Sequence, residues 1–522
     1  MAGTHAHLSR RSFLRQAAAA AGVSCAVRAP FAFAGSANST HITQVFPDLD
    51  HIHKWDSSNG DTWDPFWAND GNLYAFNCDG RGFGPQGRGR NLAFNKLAGD
   101  AANALTGSQV NSMDEYGKGG QKGPDGATWK ACGQECIDGV FYAFVSRNTY
   151  GSESGDPLLR QTAVNSSLIQ STDRGLTWTR SADENYAQPM WPGTVFGAPF
   201  FVHYGRNGAS VARDGADRYV YASSTNGFWN DGDRYILGRV ERSKLSALRR
   251  SDWCYYAGGD GNRDRSWSKV IGDAEPIFSS PTHCGQGPIC FIPALNVYLT
   301  IAWYNTAKMT KWFEPNRMQY DFYQAEHPWG PWMLINSFDD RFISAGHMYG
   351  PSLCAQFQER RGSEVRISMF TSGCPFKDIP SGLYKMWEIP LVLRTAPSPL
   401  TVAIPGEDPR IVYSGAWNGG DEKLKALKPQ TRYTQSENAA AEFEFHGTGV
   451  ALIAEKGPEF GAADVYLDGH RMASLDLRTE NFPRISSVQI FSANGLQRGE
   501  HTIRLVNTSA DYAAIEMFRV TE

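Results

Sequence analysis

From about residue 60 to 395 the chain repeats one theme: a short apolar run rich in Tyr, Phe, Val and Trp, a cluster of Gly, Asp or Asn, then another run. No segment of comparable length carries a sustained helical period, so the pattern predicts an all-β region. The runs Leu73 to Phe76, Val140 to Val145, Phe200 to Tyr204, Val297 to Tyr304 and Val365 to Phe370 recur at intervals longer than a hairpin. Each is expected to be an inner or middle strand of a separate four-stranded sheet. Five such sheets fit the length, and stacking them radially hides the edges that an open sheet of this size would expose. A count of six stays open, because blade boundaries cannot be read from one sequence. The pattern breaks at Pro397-Ser398-Pro399. Beyond Ile411, Glu442-Phe443-Glu444-Phe445 alternates strictly, Gly447-Thr448-Gly449 turns, and Val450 to Ile453, Ala463 to Leu467 and the run around Thr502 to Val506 supply further strands. The expectation is a five-bladed β-propeller over residues 40–397 and an antiparallel β-sandwich over 408–522.

The N-terminus adds a location. Ser9-Arg10-Arg11-Ser12-Phe13-Leu14-Arg15, a weakly apolar stretch Ala17 to Val27 and the small-residue site Ala32-Phe33-Ala34 have the order of a twin-arginine export signal, with cleavage expected after Ala34. The mature chain is then periplasmic or secreted. Removing the four arginines of this segment from the 50 basic residues leaves 46 against 54 acids, a net charge of −8, which argues against nucleic acid as the main partner. No later stretch has the roughly 18 apolar residues of a membrane span. Eight cysteines remain after the signal: Cys78, Cys132, Cys136, Cys254, Cys284, Cys290, Cys354 and Cys374. Export permits disulfides, and Cys132/Cys136 and Cys284/Cys290 are the natural local pairs, although a chain that folds before export can equally keep buried thiols. Cys132-Gly133-Gln134-Glu135-Cys136 also reads as half a metal site, but no second pair at zinc spacing accompanies it.

Three resemblances sharpen the picture. Ser171-Thr172-Asp173-Arg174-Gly175-Leu176-Thr177-Trp178 resembles the Asp-box of sialidase-like propellers, a turn that marks architecture rather than catalysis. Asp61-Thr62-Trp63-Asp64-Pro65-Phe66-Trp67, running on to Tyr74 and to Cys78-Asp79-Gly80, resembles the first blade of a bacterial five-bladed propeller family, formerly a domain of unknown function, that includes endo-D-arabinanases. Asp233 to Val240 and Pro328-Trp329-Gly330-Pro331-Trp332 belong to the same resemblance, which implies a glycosidase with a preference for arabinan-type substrates. In the C-terminal part, Gly447-Thr448-Gly449-Val450 and Tyr466-Leu467-Asp468-Gly469 are similar to jelly-roll modules appended to secreted carbohydrate-active enzymes, which implies a carbohydrate-binding module. The insert Asp114 to Cys136 and the segment Trp253 to Trp267 match nothing in these patterns.

Hydrolysing a glycosidic bond takes two carboxyl groups, one protonated and one ionised. Acids at the starts of inner propeller strands converge on the central funnel, so Asp61, Asp64, Asp79 and Asp233 are the catalytic candidates: Asp61 or Asp64 as base or nucleophile, with Asp61 preferred by its place in the family pattern, and Asp233 as the acid partner from another blade. Each has a bland alternative as a turn residue, strongest for Asp79 before Gly80 and for Asp233 beside Asn230 and Asp231. Sugar rings stack on aromatic planes, which nominates Trp63, Trp67, Trp229, Trp303 and Tyr304, although core packing is the better expectation for Trp303. Arg81 could pair with a carboxylate or grip an acidic sugar. His347 and Tyr349 in Gly346-His347-Met348-Tyr349-Gly350 form an alternative acid/base pair for a lyase acting on a uronate-containing glycan.

The leading reading is an exported glycoside hydrolase that acts as a monomer on a polysaccharide or oligosaccharide. The alternatives are a polysaccharide lyase and a non-catalytic carbohydrate-binding propeller. No arginine cluster of the sialidase type is found, and no phosphate loop, His-Glu-x-x-His helix or Gly-x-Ser-x-Gly elbow occurs. No cofactor or metal ligand set is expected. A structural Ca²⁺ or Na⁺ on the propeller axis fits the fold, though the sequence has no dedicated loop for it.

Overall fold

A computed structural model of the chain describes residues 40–87, 89–149, 161–180, 182–209, 213–305, 318–340, 343, 348–373, 382–397, 402–419, 431–479 and 484–521. Residues 1–34, expected to be an export signal, lie outside the described residues, as do Cys374 and His347.

The repeated apolar runs fold as five antiparallel sheets. Blade 1 holds Phe66–Trp67, Leu73–Gly80, Arg90–Ala98 and Thr106–Asn111, and blade 2 holds Thr128–Ile137, Val140–Thr149 and Thr162–Ser171. Blade 3 is built on Pro199–His203, Tyr219–Thr225, Gly232–Glu241 and Cys254–Tyr256, and blade 4 on Ile289–Ile292, Val297–Asn305, Met318–Ala325 and Met333–Asp339. In blade 5, Met348–Arg361, Glu364–Gly373 and Met386–Pro397 are joined by an outer strand from the other end of the chain, Thr40–Pro47, which runs antiparallel to Met386–Pro397. The first strand of each blade touches the first strand of the next all the way round, which closes the ring.

Aromatic and aliphatic side chains pack between the blades. Phe66, Phe76, Phe94 and Phe141 join blades 1 and 2, and Phe144, Trp191, Phe201 and Trp253 join blades 2 and 3. The 171–178 turn contributes to the first of these contacts. Asp173 accepts from Ser171 Oγ (2.7 Å), Thr177 N (2.9 Å) and Thr177 Oγ1 (2.6 Å), which folds the turn. Gly175 sits at φ +87°, where a Cβ would lie 2.0 Å from the Phe94 ring, and Trp178 packs on Phe76 and Phe94 with ring centroids 5.1 Å away. Trp329 of the 328–332 segment packs in the same manner against Trp267 and Tyr221 of blade 3.

The second unit begins before the expected residue 408, because Val402–Pro405 pairs with the last strand, Met517–Thr521. Its long strands Ala440–Lys456 and Ile485–Asn507 pair with each other, and a small sheet of Asn418–Gly419, Arg432–Thr434 and Ala513–Ile515 lies across a core of Phe443, Leu452, Val465, Ile503, Ile515 and Phe518. The two units are joined by hydrogen bonds as well as by packing: Ser337 and Phe338 of blade 4 pair with Ser486 and Ile485, and Ile485 and Val488 enter the propeller core.

Seven cysteines are thiols, so neither proposed local disulfide forms. Cys132 contacts Ser146 Oγ (3.2 Å) whereas Cys136 contacts Asn207 Oδ1 (3.2 Å), and Cys284 and Cys290 donate to different backbone carbonyls. Each sulfur is aimed into a separate packing layer. Where blades 2 and 3 meet, Gly133 stands against the neighbouring backbone, with a Cβ at that position 2.2 Å from Phe200 Cα. Gly133→Ala is therefore expected to force the inner strands apart and cost about 1–3 kcal/mol, read as a lower urea midpoint without loss of cooperativity.

Candidate functional site

The inner strands all begin at the same end of the ring, and blade 1 presents two carboxyl groups there. Asp61 and Cys78 exchange backbone hydrogen bonds (Asp61 N to Cys78 O 3.0 Å, Cys78 N to Asp61 O 2.8 Å), which sets Asp61 beside Asp79 on the adjoining strand. The residues flanking this bridge are held in left-handed conformations, Thr62 at φ +52° and Asp79 at φ +50°. Such backbone costs about 1–3 kcal/mol at a non-glycine residue and concentrates at working sites.

Three other side chains close on the pair. Lys130, from the start of the blade 2 inner strand, forms an ion pair with Asp79. Tyr349, from the start of the blade 5 inner strand, donates its hydroxyl to Asp61 Oδ2. Tyr384, from the approach to the third strand of blade 5, bonds the Asp61 carboxyl and also reaches Asp79 O at 3.4 Å. Asp61 is only 8% exposed. Burial, with Asp79's charge adding to it, lifts the Asp61 carboxyl to about 6 against the opposing pull of Lys130 and the two phenols. The result is a carboxyl that keeps its proton well above the ordinary range, next to a second carboxylate neutralised by a lysine.

Three residues further in, Asp64 belongs to a different layer. Its Oδ1 accepts from His203 Nε2 of blade 3 (3.0 Å) and Ser352 Oγ of blade 5 (2.5 Å), and its Oδ2 from Gln134 N of blade 2 (3.3 Å). His203 Nδ1 meets Glu135 Oε2 of blade 2 at 2.8 Å. Asp64, Glu135 and His203 are all buried. Burial works against a charge on the imidazole, but the two flanking carboxylates outweigh it and raise His203 to about 10. The hub thus carries its own cation, an imidazolium held by both ring nitrogens. Among the described residues no group of three or more His, Cys, Asp and Glu side chains is arranged to hold a metal ion.

Apart from Tyr349, the remaining candidates among the described residues are dispersed. Asp233 begins the third strand of blade 3 and not an inner one; it accepts from Asn226 Nδ2 (2.9 Å) and Thr282 N (3.0 Å), which is the work of a turn residue. Trp63 is fully buried against Phe83 with its indole N–H on Gly60 O, and Trp229 and Trp303 lie in inter-blade cores, Trp303 donating to Gln286 O at 2.7 Å. None of the three offers a ring face to a ligand. Trp67 is half-buried and donates to Gly71 O. Arg81 spends its guanidinium on the carbonyls of Gly84 and Ser57 rather than on a carboxylate. Tyr304 is stacked on His283 with centroids 3.8 Å apart and bonds Asp321. Tyr349, half of the suggested lyase pair, is engaged with Asp61.

Lys130, Glu135, His203, Ser352 and Tyr384 were not singled out from the sequence. Two signals were available: Lys130 and Glu135 lie within or beside the unmatched insert, and His203 interrupts the apolar run Phe200-Phe201-Val202, where a buried ionisable group demands a partner.

No family model matches the chain. Two curated proteins from Flavonifractor plautii are similar to part of it: an A type blood N-acetyl-α-D-galactosamine deacetylase, 34% identical over 113 residues, and an A type blood α-D-galactosamine galactosaminidase, 38% identical over 107 residues. These matches cover 22% and 20% of this chain, and span only 14% and 10% of those two proteins. Among solved structures, a xylan β-1,4-xylosidase from Bacillus halodurans is 10% identical, with 90% of this chain and 100% of that one covered at a TM-score of 0.38. An exo-β-1,3-galactanase from Phanerochaete chrysosporium is 10% identical over 88% and 96% of the two chains, at a TM-score of 0.34. The catalytic domain of an α-L-arabinofuranosidase from Coprinopsis cinerea is 10% identical over 69% and 99%, at 0.32.

The hub makes a thermodynamic prediction. His203 has a folded pKa of about 10, above the 6.5 of an unfolded histidine. Its contribution to stability is therefore full below pH 6.5 and is lost as pH rises through 10. His203→Gln leaves Asp64 and Glu135 buried without their cation, at an expected cost of about 3–5 kcal/mol near pH 6. Urea midpoints across pH 6 to 10 are expected to fall for the parent and to show a much smaller slope for the variant.

Proposed function

We propose that this chain is an exported glycoside hydrolase whose active site is the hollow at the strand-start end of the propeller. Asp61 is the proton donor, not the base that its place in the family pattern suggested, Asp79 the ionised partner, and Lys130, Tyr349 and Tyr384 hold the two in place. The observation that carries this reading is the Asp61 carboxyl itself, raised to about 6 and set beside Asp79. Glycosidic cleavage needs one carboxyl to hand a proton to the departing oxygen and another to activate water or attack the sugar carbon. A carboxyl that burial keeps protonated suits the first role, and one ion-paired with a lysine suits the second. Asp64 takes no part in proton transfer to substrate, because His203 and Ser352 occupy it below the hollow.

Arabinan-type polysaccharide is the favoured substrate, on the resemblance of the segment from Asp61 to Tyr74. The Flavonifractor plautii proteins support a second assignment. Their matches of 113 and 107 residues are shared by a deacetylase and a galactosaminidase, and a segment common to enzymes of different chemistry suits an accessory module. The C-terminal unit has about that length, so we assign it glycan recognition. The order of residues in the twin-arginine-like segment supports export to the periplasm or beyond the cell, and we take the enzyme to act as a monomer.

The test is a screen of the mature protein against arabinan, galactan and xylan with product analysis. Cleavage without an unsaturated, ultraviolet-absorbing product is expected, and such a product would instead establish a lyase. Activity should fall as pH rises through about 6, where Asp61 gives up its proton. Asp61→Asn should lower kcat by about 10²–10⁴, and Asp233→Asn should leave it near the parent value. Full turnover in Asp61→Asn would remove the proposed mechanism.

A further inference from the structure

On the flank of the propeller, away from the mouth of the hub, blade 5 and the sandwich face each other across a crevice. One cavity of about 240 Å³ is lined by Gln44 and Arg394 of blade 5 and, from the sandwich, by Lys456, Asp476 and Gln489 over an aliphatic floor of Leu475, Leu477, Val488 and Ile490. A second, of about 350 Å³, adjoins it through the shared Arg394 and is lined by Phe46, Asp48, Glu364 and Arg366. We propose that this crevice is a second glycan-binding site, one that holds a neutral polysaccharide chain while the hollow at the hub acts on another part of it.

The chemistry of the walls selects that ligand. A sugar ring presents an apolar C–H face and a rim of hydroxyls, each both donor and acceptor. The crevice supplies an aliphatic floor and, along its lips, donors and acceptors side by side. Its charges nearly cancel, three cations (Arg366, Arg394 and Lys456) against four acids (Asp48, Asp50, Glu364 and Asp476), so neither an acidic polymer nor a nucleic acid is favoured. Its arginines are fixed before any ligand arrives. Arg366 Nη1 donates to Asp48 Oδ2 (2.6 Å), while Arg394 bonds Glu364 Oε1 (3.2 Å) and Gln44 Oε1 (3.3 Å) with its guanidinium 4.6 Å from the Phe46 ring centroid. Fixed donors lose little freedom on binding.

The crevice also has rigid walls. The Phe338–Ile485 pairing and the packing of Val488 in the propeller core tie the two units together beside it. Glu364 and Arg394 lie at the end of blade 5 remote from Tyr349, so a chain lying in the crevice leaves the mouth open.

The proposal rests on the reading that the protein works on neutral glycans, and its test does not require turnover. The full-length Asp61→Asn protein is run by affinity electrophoresis in gels containing arabinan, galactan or xylan, with polygalacturonate as the charged comparison. Retardation by at least one neutral polymer is expected, weakened at least tenfold in a Lys456→Ala/Gln489→Ala pair and likewise in Arg394→Ala. The surface pair keeps the test clear of folding defects, which the Arg394 change could cause through Glu364. Unchanged binding in the surface pair, retardation by polygalacturonate alone, or none by any neutral polymer would overturn the site. A parent protein that cleaves none of the polymers but shows the expected retardation defeats the hydrolase reading and upholds the crevice.

Discussion

The molecule is organised around an imidazolium with a carboxylate on each side. His203 draws Asp64 and Glu135 to the axis, and Ser352 and the Gln134 amide complete the coordination of Asp64. Four of the five blades therefore meet through a single charged cluster, in a place where an apolar plug would have served for cohesion alone. The desolvation of three ionisable groups is severe, and it is offset because both oxygens of Asp64, both oxygens of Glu135 and both ring nitrogens of His203 have partners. With Asp64 fixed, the short segment that carries it also fixes Asp61, three residues earlier, beside Asp79.

This arrangement explains which parts of the chain could be read in advance. The blade strands, the 171–178 turn and the presence of a second unit follow from local periodicity and turn chemistry, whose partners lie within a few residues. The hub does not. Asp64 and His203 are 139 residues apart, and Asp61 and Tyr349 are 288 apart. Nothing in the neighbourhood of Phe200-Phe201-Val202-His203 reveals which acids the histidine will meet, only that it must meet some. Asp233 misled for the complementary reason: its place at the head of a strand was legible, but its rank within the blade, third and not first, depends on pairings that the sequence does not show.

The same distinction applies to aromatic residues and cysteines. Trp63, Trp229 and Trp303 look like sugar platforms when counted near strand ends, yet a propeller needs flat, bulky side chains wherever two sheets approach face to face, and that demand takes them first. Close spacing in sequence suggested two cystine bridges. In a strand, however, small shifts of register decide which layer a side chain enters, and a bulge between Ala131 and Gln134 separates the environments of Cys132 and Cys136. The boundary at residue 402 rather than 408 was hidden in a four-residue strand too short to show alternation.

The strand Thr40–Pro47 is the outermost member of the last blade, whose neighbouring strand ends at Pro397. The ring is fastened by a seam between the two ends of a stretch of nearly 360 residues. During synthesis the opening strand must wait, unzipped, until the ribosome has delivered almost the whole propeller. The clasp is therefore the last piece of the ring to set.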